Sequence, residues 1–200
     1  MIYNGNGVFP DSSKPSCPKK QKQEREKSTL KTHQNTNLHS IARSGIIAAL
    51  YLLLTLISQS FAFGAIQFRL SEALMLLSLL TRDAVPGLFV GCLLANLLCG
   101  GVWYDVILGA LATLLAAVLM RKYAQKTYFC AALPALVNGI IVGPVVYFAY
   151  VHAPGAPISW IVLFGSMLSV MLGEAVVCFV LGLPLVRVLS RRLTGFSKRG

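Results

Sequence analysis

The sequence predicts an all-α, polytopic membrane protein: a bundle of six transmembrane helices with both termini in the cytoplasm. Three observations lead to this prediction. Hydrophobic residues make up 56% of the 200 residues and charged residues only 12%, with a mean hydropathy of +0.68, whereas a soluble domain of this length needs more polar surface around its core. The apolar residues lie in six long runs. Basic residues cluster at alternate turns between these runs, which is the charge pattern of a multi-spanning helical bundle.

The six apolar runs form one membrane domain, which we assign to residues 41–190. About 20 helical residues cross the ~30 Å hydrocarbon core, and runs of this length are predicted to be helices because backbone groups in lipid must pair within the segment. The second run has only about 14 residues, or ~21 Å as an α-helix. The loop before it is therefore expected to cover part of the membrane depth. The runs are 41–58, 68–81, 84–100, 103–120, 128–151 and 158–186.

Polar segments flank the membrane domain. Residues 1–40 are rich in Pro, Lys and other polar residues and cannot bury enough apolar surface to fold alone, so a disordered cytosolic tail is predicted. A gene start assigned too far upstream, with translation beginning near Leu38, is the alternative. Residues 191–200 are predicted to form a basic cytoplasmic tail. Ala62-Phe63-Gly64 resembles a signal-peptide cleavage site, but the first apolar run is long for a signal peptide, and we favour an uncleaved helix.

The basic residues also predict the orientation of the bundle. With both termini in the cytoplasm, nearly all basic residues after residue 40 fall on the inner side, as the positive-inside rule requires. Arg69, in the stretch "QFRLSEALMLL", is the exception and falls on the outer side. The inner residues are Arg43, Arg82, Arg121, Lys122, Lys126, Arg187, Arg191, Arg192, Lys198 and Arg199.

Several other function classes are disfavoured. The formal net charge of +11 does not indicate nucleic-acid binding, because the basic residues fall where membrane topology places them. Four of the five cysteines lie in apolar runs without C-x-x-C spacing, which predicts packing residues rather than metal ligands or disulfides. The sequence has no G-x-x-x-x-G-K-[ST] loop for ATP. His152 is the only histidine in the spans and their turns, so we expect no metal site and no enzymatic activity.

Small residues recur at every fourth position on several runs, a spacing that permits close helix packing in lipid. In the stretch "ARSGIIAAL" of the first run, Gly45 and Ala49 lie four residues apart, with Ser44 and Ala48 beside them. Such a pair serves either packing within the bundle or docking of another protein's helix. The sequence alone leaves both uses open.

Ionisable and amide side chains occur at membrane depth, where an ionisable group costs ~2.5–3.5 kcal/mol and needs a partner or a task. Arg69 and Glu72 share a helix face at i, i+3 spacing. They can form a self-satisfied ion pair, with Trp and Tyr as interfacial anchors. Carboxylates, amides and aromatic rings that converge on one outward-facing region instead indicate a small-molecule pocket, in which a carboxylate accepts the N–H donors of a purine-like edge. The candidate ligand-binding residues are Arg69, Glu72, Asn96, Trp103, Tyr104, Asp105, Asn138 and Glu174.

Four stretches resemble the queuosine-precursor transporter (QueT) family over roughly residues 41–190. They are "FRLSEALMLLSLLTRDAVPGLFVGCLLANLLCGG", "YDVILGALATLLAAVLMRK", "LPALVNGIIVGP" and "GEAVVCFVLGLPL", and "FRLSEAL" and "GLFVGCLLAN" are the most specific parts. Members of this family are substrate-binding S components of energy-coupling-factor (ECF) transporters. The resemblance implies a multi-pass bacterial plasma-membrane protein that captures a 7-deazaguanine precursor of queuosine from outside.

The resemblance also implies partners. A transmembrane coupling subunit and two cytosolic ATPases would use ATP to drive uptake, and this chain itself would hold no cofactor. S components commonly dock through an Ala-x-x-x-Ala element in the first helix, and the matching positions here are Gly45 and Ala49. Glu72 is expected to bind the amidine-like edge of the ligand or a cationic aminomethyl tail. Arg69 is expected to orient Glu72 or to meet the ligand carbonyl.

Two other functions fit the same residues. One is an S component for another vitamin on the same scaffold. The other is a proton-coupled secondary transporter of a nucleobase-like solute, with Glu72 or Glu174 carrying the proton. A purely structural membrane protein would leave Arg69 and Glu72 unexplained.

Overall fold

The computed structural model describes the backbone of residues 19–59, 69–99, 102–153 and 157–197, and the side chains of residues 37–59, 69–99, 102–153 and 157–191. Within these ranges all regular structure is helical and no strand occurs. The chain divides into two compact units, Met1–His39 and Ser40–Gly200. The second unit contains the whole predicted membrane domain, residues 41–190, so the fold and the site are described within it.

Six helical segments follow one another along the described chain, as the sequence predicts. Helix α4 continues into a π-helical turn. Helix α5 continues into a second π-helical turn and then into α6 without a break, so α5 and α6 count as one segment. The elements are α1 (Lys19–Gln59), a 3₁₀ helix (Leu70–Leu79), α2 (Ala84–Leu98), α3 (Trp103–Lys122), α4 (Thr127–Val146) with its turn (Tyr147–Val151), α5 (Trp160–Val177) with its turn (Cys178–Gly182), and α6 (Leu183–Ser197).

Four of these segments are long and apolar enough to cross a membrane. They are Asn37–Gln59, Trp103–Lys122, Thr127–Val151 and Trp160–Arg191. The 3₁₀ helix and α2 are apolar but shorter. The prediction of an all-helical, polytopic membrane protein is therefore confirmed, with two of its six helices shorter than a full span.

Helical structure extends further at both ends than the sequence predicts. The stretch from Lys19 to residue 40, predicted to be disordered, is helical, and residues 191–197 of the predicted basic tail belong to α6. Lys, Gln and Glu favour helix, and residues added to the end of a formed helix avoid the cost of nucleation. Residues 1–18 of the predicted tail lie outside the described residues.

The 3₁₀ helix lies at the centre of the bundle and packs against α2, α3, α4, α5 and α6. Seven of its ten residues are buried. A 3₁₀ helix rises ~2.0 Å per residue, so ten residues extend about 20 Å, which an α-helix would need about 14 residues to cover. Gly182 permits the close approach of the second π-helical turn, because a Cβ there would lie 3.0 Å from Leu76 Cδ1 and 3.3 Å from the Ala73 carbonyl oxygen.

Small residues bring the remaining helices into backbone contact. A Cβ placed on Gly87 would lie 2.6 Å from the Ser44 carbonyl oxygen, and one on Gly91 would lie 2.8 Å from Tyr51 Cβ, so α2 needs glycine to pack on α1. The predicted use of small-residue stripes for internal packing is confirmed at these positions. Cys92, Cys130 and Cys178 are buried and unbridged, as expected of packing residues.

A polar contact fixes α1 to the turn before α2. Ser40 Oγ donates to Asp83 Oδ1 at 2.5 Å, and Ser44 Oγ donates to the Asp83 carbonyl oxygen at 2.8 Å. Arg43 Nη1 lies 3.6 Å from Asp83 Oδ2. Asp83 follows the 3₁₀ helix and Arg69 precedes it, so this contact lies at the opposite end of that helix from Arg69.

Candidate functional site

Polar side chains are buried inside the apolar bundle at the end of the 3₁₀ helix where the chain enters it. Glu72, in the first turn of that helix, is completely buried. Tyr51 OH on α1, itself completely buried, donates to Glu72 Oε1 at 2.6 Å. The other carboxylate oxygen, Glu72 Oε2, is buried and has no hydrogen-bond partner within the described parts of the chain. One face of this carboxylate is therefore held by the protein, and the other is free to accept a hydrogen bond.

Arg69 precedes the same helix and binds α2. Its Nη2 donates to Asn96 Oδ1 at 2.8 Å and lies 3.9 Å from Cys92 Sγ. Among the described side chains no ion pair within 4 Å joins Arg69 to Glu72. Arg69 and Glu72 therefore do not form the ion pair that was the alternative to a ligand site. The Asn96 amide, rather than the Glu72 carboxylate, orients the Arg69 guanidinium.

A second carboxylate lies at the interface of α4 and α5. Asn138 Nδ2 lies 2.8 Å from both Glu174 Oε1 and Glu174 Oε2. The two side chains are each only 2% exposed. Asn138 Oδ1 is buried and has no hydrogen-bond partner among the described residues, so this pair also presents an open acceptor.

The two carboxylates belong to one site. Cys178 Sγ lies 3.6 Å from the Glu72 carbonyl oxygen, and Glu174 lies one helical turn before Cys178 on the same face. Glu174 lies near enough to Glu72 and Arg69 for their charges to influence one another. The sequence-predicted residues Arg69, Glu72, Asn96, Asn138 and Glu174 are therefore brought together in a single cluster, in which Arg69 is half-buried and the other four are buried.

The predicted aromatic and acidic residues at the start of α3 lie at the edge of this cluster. A Cβ placed on Gly109 would lie 2.7 Å from Asn96 Nδ2 and 3.8 Å from Asp105 Oδ1, so Asp105 borders the space beside Asn96. Tyr150 OH donates to Asp105 Oδ2 at 3.1 Å. Trp103 is 73% exposed and contacts Tyr104 edge-on, with ring centroids 5.6 Å apart. In this arrangement Trp103 does not face the buried carboxylates.

Comparison with known proteins places the chain in a family. The sequence model described as QueT transporter matches residues 41–191, which is most of the chain. The chain belongs to the QueT transporter family. A protein of Lactococcus lactis subsp. cremoris (strain MG1363), named queuosine precursor transporter QueT, is 32% identical over 101 residues. That alignment covers 48% of this chain and 59% of the relative. No solved structure shows significant similarity.

The site of this QueT family member includes residues that sequence reasoning missed. Tyr51 orients Glu72, and Thr55 Oγ1 donates to Ser71 Oγ at 2.9 Å. Thr113 Oγ1 lies 3.2 Å from Cys92 Sγ. Tyr51 and Thr55 lie four residues apart on one face of α1, and this spacing of hydroxyl groups was the available signal. A single hydroxyl in an apolar helix does not otherwise reveal whether it faces lipid or a buried carboxylate.

The candidate docking residues in α1 fall on two different faces. Gly45 and Ala49 are exposed, and a Cβ placed on Gly45 would meet nothing within 4 Å. Ala48 is buried, and its backbone and that of Ser44 pack against α2. In this QueT family member, Gly45 and Ala49 therefore lie on an exposed face of α1, whereas Ser44 and Ala48 pack against α2.

Proposed function

We propose that this chain is the substrate-binding S component of an ECF-type importer and that it captures a 7-deazaguanine precursor of queuosine. One observation carries the proposal: two acceptor oxygens, Glu72 Oε2 and Asn138 Oδ1, are buried inside a membrane bundle without a hydrogen-bond partner among the residues that the structure describes. A buried polar atom without a partner is costly, so both positions favour a ligand that supplies hydrogen-bond donors.

The chemistry of a guanine-like edge matches the end of the site near Glu72. That edge presents a carbonyl acceptor beside ring and exocyclic N–H donors. The Arg69 guanidinium is a donor and the open Glu72 oxygen is an acceptor, and the two residues lie one turn apart. The proposal also agrees with the name of the Lactococcus lactis relative, queuosine precursor transporter.

The first test is the isosteric substitution Glu72→Gln. It removes the negative charge and replaces one acceptor oxygen with a donor amide, so the affinity for a 7-deazaguanine should fall more than tenfold while the protein still inserts. The affinity is measured by titration of the purified protein. An affinity within threefold of wild type would exclude Glu72 from ligand binding.

Asp83→Asn is the matched control, because it also neutralises a carboxylate without changing its shape. Asp83 accepts a hydrogen bond from Ser40, and asparagine keeps an acceptor for that contact. Asp83 lies at the other end of the 3₁₀ helix, so its ligand affinity should stay within twofold of wild type.

The proposed importer places the energy source in partner subunits. A coupling subunit would dock on the open face formed by Gly45 and Ala49, since small residues allow close approach of a second helix in lipid. Two cytosolic ATPases would bind the ATP. Both termini are proposed to lie in the cytoplasm of a bacterial plasma membrane, because that orientation leaves Arg69 as the one outer basic residue after residue 40.

A proton-coupled secondary transporter is the second candidate function. The observation that favours it is the burial of two carboxyl groups, Glu72 and Glu174, inside the bundle, since buried acids occur in proton relays. Uptake into proteoliposomes that contain this chain alone separates the two functions. Uptake that collapses with the proton gradient would support the secondary transporter, and uptake that requires the ATPases would support the importer.

A further inference from the structure

We propose that Thr113 and Cys92 are positioning residues of the ligand site. A chain of hydrogen bonds runs from α3 through these two side chains to the amide of Asn96, and it fixes that amide so that it orients the Arg69 guanidinium. The inference rests on the proposed function, in which Arg69 meets the ligand. It goes further by naming residues that determine ligand affinity from behind the binding residues.

The chain of hydrogen bonds begins on α3 at Thr113, which is only 1% exposed. Thr113 Oγ1 lies 3.0 Å from the Gly109 carbonyl oxygen, one turn earlier, and 3.2 Å from Cys92 Sγ on α2. A hydroxyl has a single hydrogen to donate, and sulfur is a weaker acceptor than a carbonyl oxygen. The Thr113 hydroxyl therefore donates to Gly109, and its oxygen is left to accept the Cys92 S–H.

The thiol of Cys92 passes this direction on to Asn96, one turn later on α2. Asn96 Nδ2 lies 3.7 Å from Cys92 Sγ. Because the thiol hydrogen points to Thr113, the sulfur meets Asn96 as an acceptor, and the amide turns its N–H₂ group toward it. Cys92 is completely buried, so water does not compete for these contacts.

The amide of Asn96 then presents its oxygen to Arg69. Arg69 Nη2 donates to Asn96 Oδ1 at 2.8 Å. A guanidinium only donates hydrogen bonds, so an amide rotated by 180° would set N–H groups against N–H groups. Gly109 leaves room for the amide nitrogen, since a Cβ there would lie 2.7 Å from Asn96 Nδ2. Both ends of the amide are thus held, and the guanidinium has one preferred position.

Two substitutions of Thr113 test the chain. Thr113→Val keeps the branched shape and removes the hydroxyl, which frees the Cys92 S–H to compete with Arg69 for the Asn96 oxygen. Thr113→Ser keeps the hydroxyl and removes the methyl group. In titrations of the purified full-length protein with 7-deazaguanine, the affinity should fall at least threefold in Thr113→Val, as loss of one hydrogen bond predicts, and stay within twofold of wild type in Thr113→Ser. A role in packing alone predicts the opposite order, because serine leaves a cavity.

Thr81→Val is the matched control. Thr81 lies just beyond the end of the 3₁₀ helix that is remote from Arg69, and its hydroxyl oxygen accepts from the Asp83 backbone N–H at 3.3 Å. The same loss of a hydroxyl at this position should leave the affinity within twofold of wild type.

Asn96→Asp tests whether Thr113 acts through Asn96. A carboxylate presents an oxygen to Arg69 in either orientation, so it does not need the thiol to set its direction. In the Asn96→Asp background, Thr113→Val should therefore change the affinity less than twofold, whatever affinity Asn96→Asp itself has. If Asn96→Asp does not bind, the Thr113 variants decide alone.

Three results would overturn the positioning role while leaving the proposed function intact. They are an affinity of Thr113→Val within threefold of wild type, a loss in Thr113→Ser as large as in Thr113→Val, and an equal loss from Thr113→Val in both backgrounds. Absence of 7-deazaguanine binding by the wild type would overturn the proposed function as well. If Thr113→Val does not fold, Cys92→Ala makes the same break and Cys92→Ser restores it, with the same limits on affinity.

Discussion

Glu72 illustrates how single residues define the site. Its side chain is buried in an apolar helix of ten residues, and the Tyr51 hydroxyl binds one of its oxygens at 2.6 Å. The position of the carboxylate could be predicted, because an ionisable residue in an apolar run needs a partner or a function. Its partner could not, because Tyr51 lies 21 positions earlier and only the packing of α1 on the 3₁₀ helix brings the two together.

Tyr51→Phe tests this contact at the residue scale. The change removes the hydroxyl that orients Glu72, and the loss of a hydrogen bond to a charged group costs about 1.5–3 kcal/mol, or roughly 10- to 100-fold in Kd. We expect a loss of 7-deazaguanine affinity in this range, measured by titration.

Tyr123→Phe is the matched control for this substitution. Tyr123 is 42% exposed and follows the other end of α3, so loss of its hydroxyl should leave affinity within twofold of wild type. An affinity of Tyr51→Phe equally close to wild type would show that Glu72 needs no orientation by Tyr51.

At the scale of elements, the α4–α5 interface determines the position of Asn138 and Glu174. The small-residue spacing of α4 predicts a close helix contact but not the identity of the neighbour. In the structure a Cβ on Gly139 would overlap the Met171 side chain, and one on Gly143 would lie 2.6 Å from Met167 Cα. The 3₁₀ form of the second helix was likewise not predicted, since its apolar pattern is equally compatible with an α-helix and its contacts with five neighbouring helices are tertiary.

Gly143→Val tests this interface. The added side chain would meet a backbone atom that cannot rotate away, and overpacking of this kind costs typically about 1–3 kcal/mol. We expect a lower thermal unfolding temperature in detergent and weaker ligand binding, because α4 and α5 would move apart and lengthen the contact between Asn138 and Glu174. Gly165→Val, where a Cβ meets nothing within 4 Å, should leave both unchanged. Equal stability of the two variants would contradict the close contact.

At the scale of the whole molecule, the proposed importer separates ligand capture from coupling. The cluster proposed to bind the ligand lies inside the bundle, whereas Gly45 and Ala49 lie on an open face of α1. From the sequence, Ser44, Gly45, Ala48 and Ala49 were all candidates for docking the coupling subunit. The structure divides them, because Ser44 and Ala48 already pack against α2.

Gly45→Leu tests coupling separately from binding. A large side chain on the open face should block close approach of a second helix, so energised uptake by the assembled importer should fall more than tenfold. Ligand affinity of the isolated chain should not change, because a Cβ placed at that position would lie more than 4 Å from every neighbouring helix that the structure describes. Gly165→Leu makes the same change on an equally open face of α5 and should transport normally. Normal uptake by Gly45→Leu would exclude this face as the docking surface.

The sequence by itself determined the helical membrane fold, the approximate limits of its six helices and the residues with chemistry at membrane depth. These follow from local composition, because lipid admits only segments that satisfy their own backbone. Only the tertiary structure decided which polar groups meet, which oxygens of Glu72 and Asn138 remain without partners, and which face of α1 stays open. Those features depend on contacts between distant segments, which no local pattern specifies.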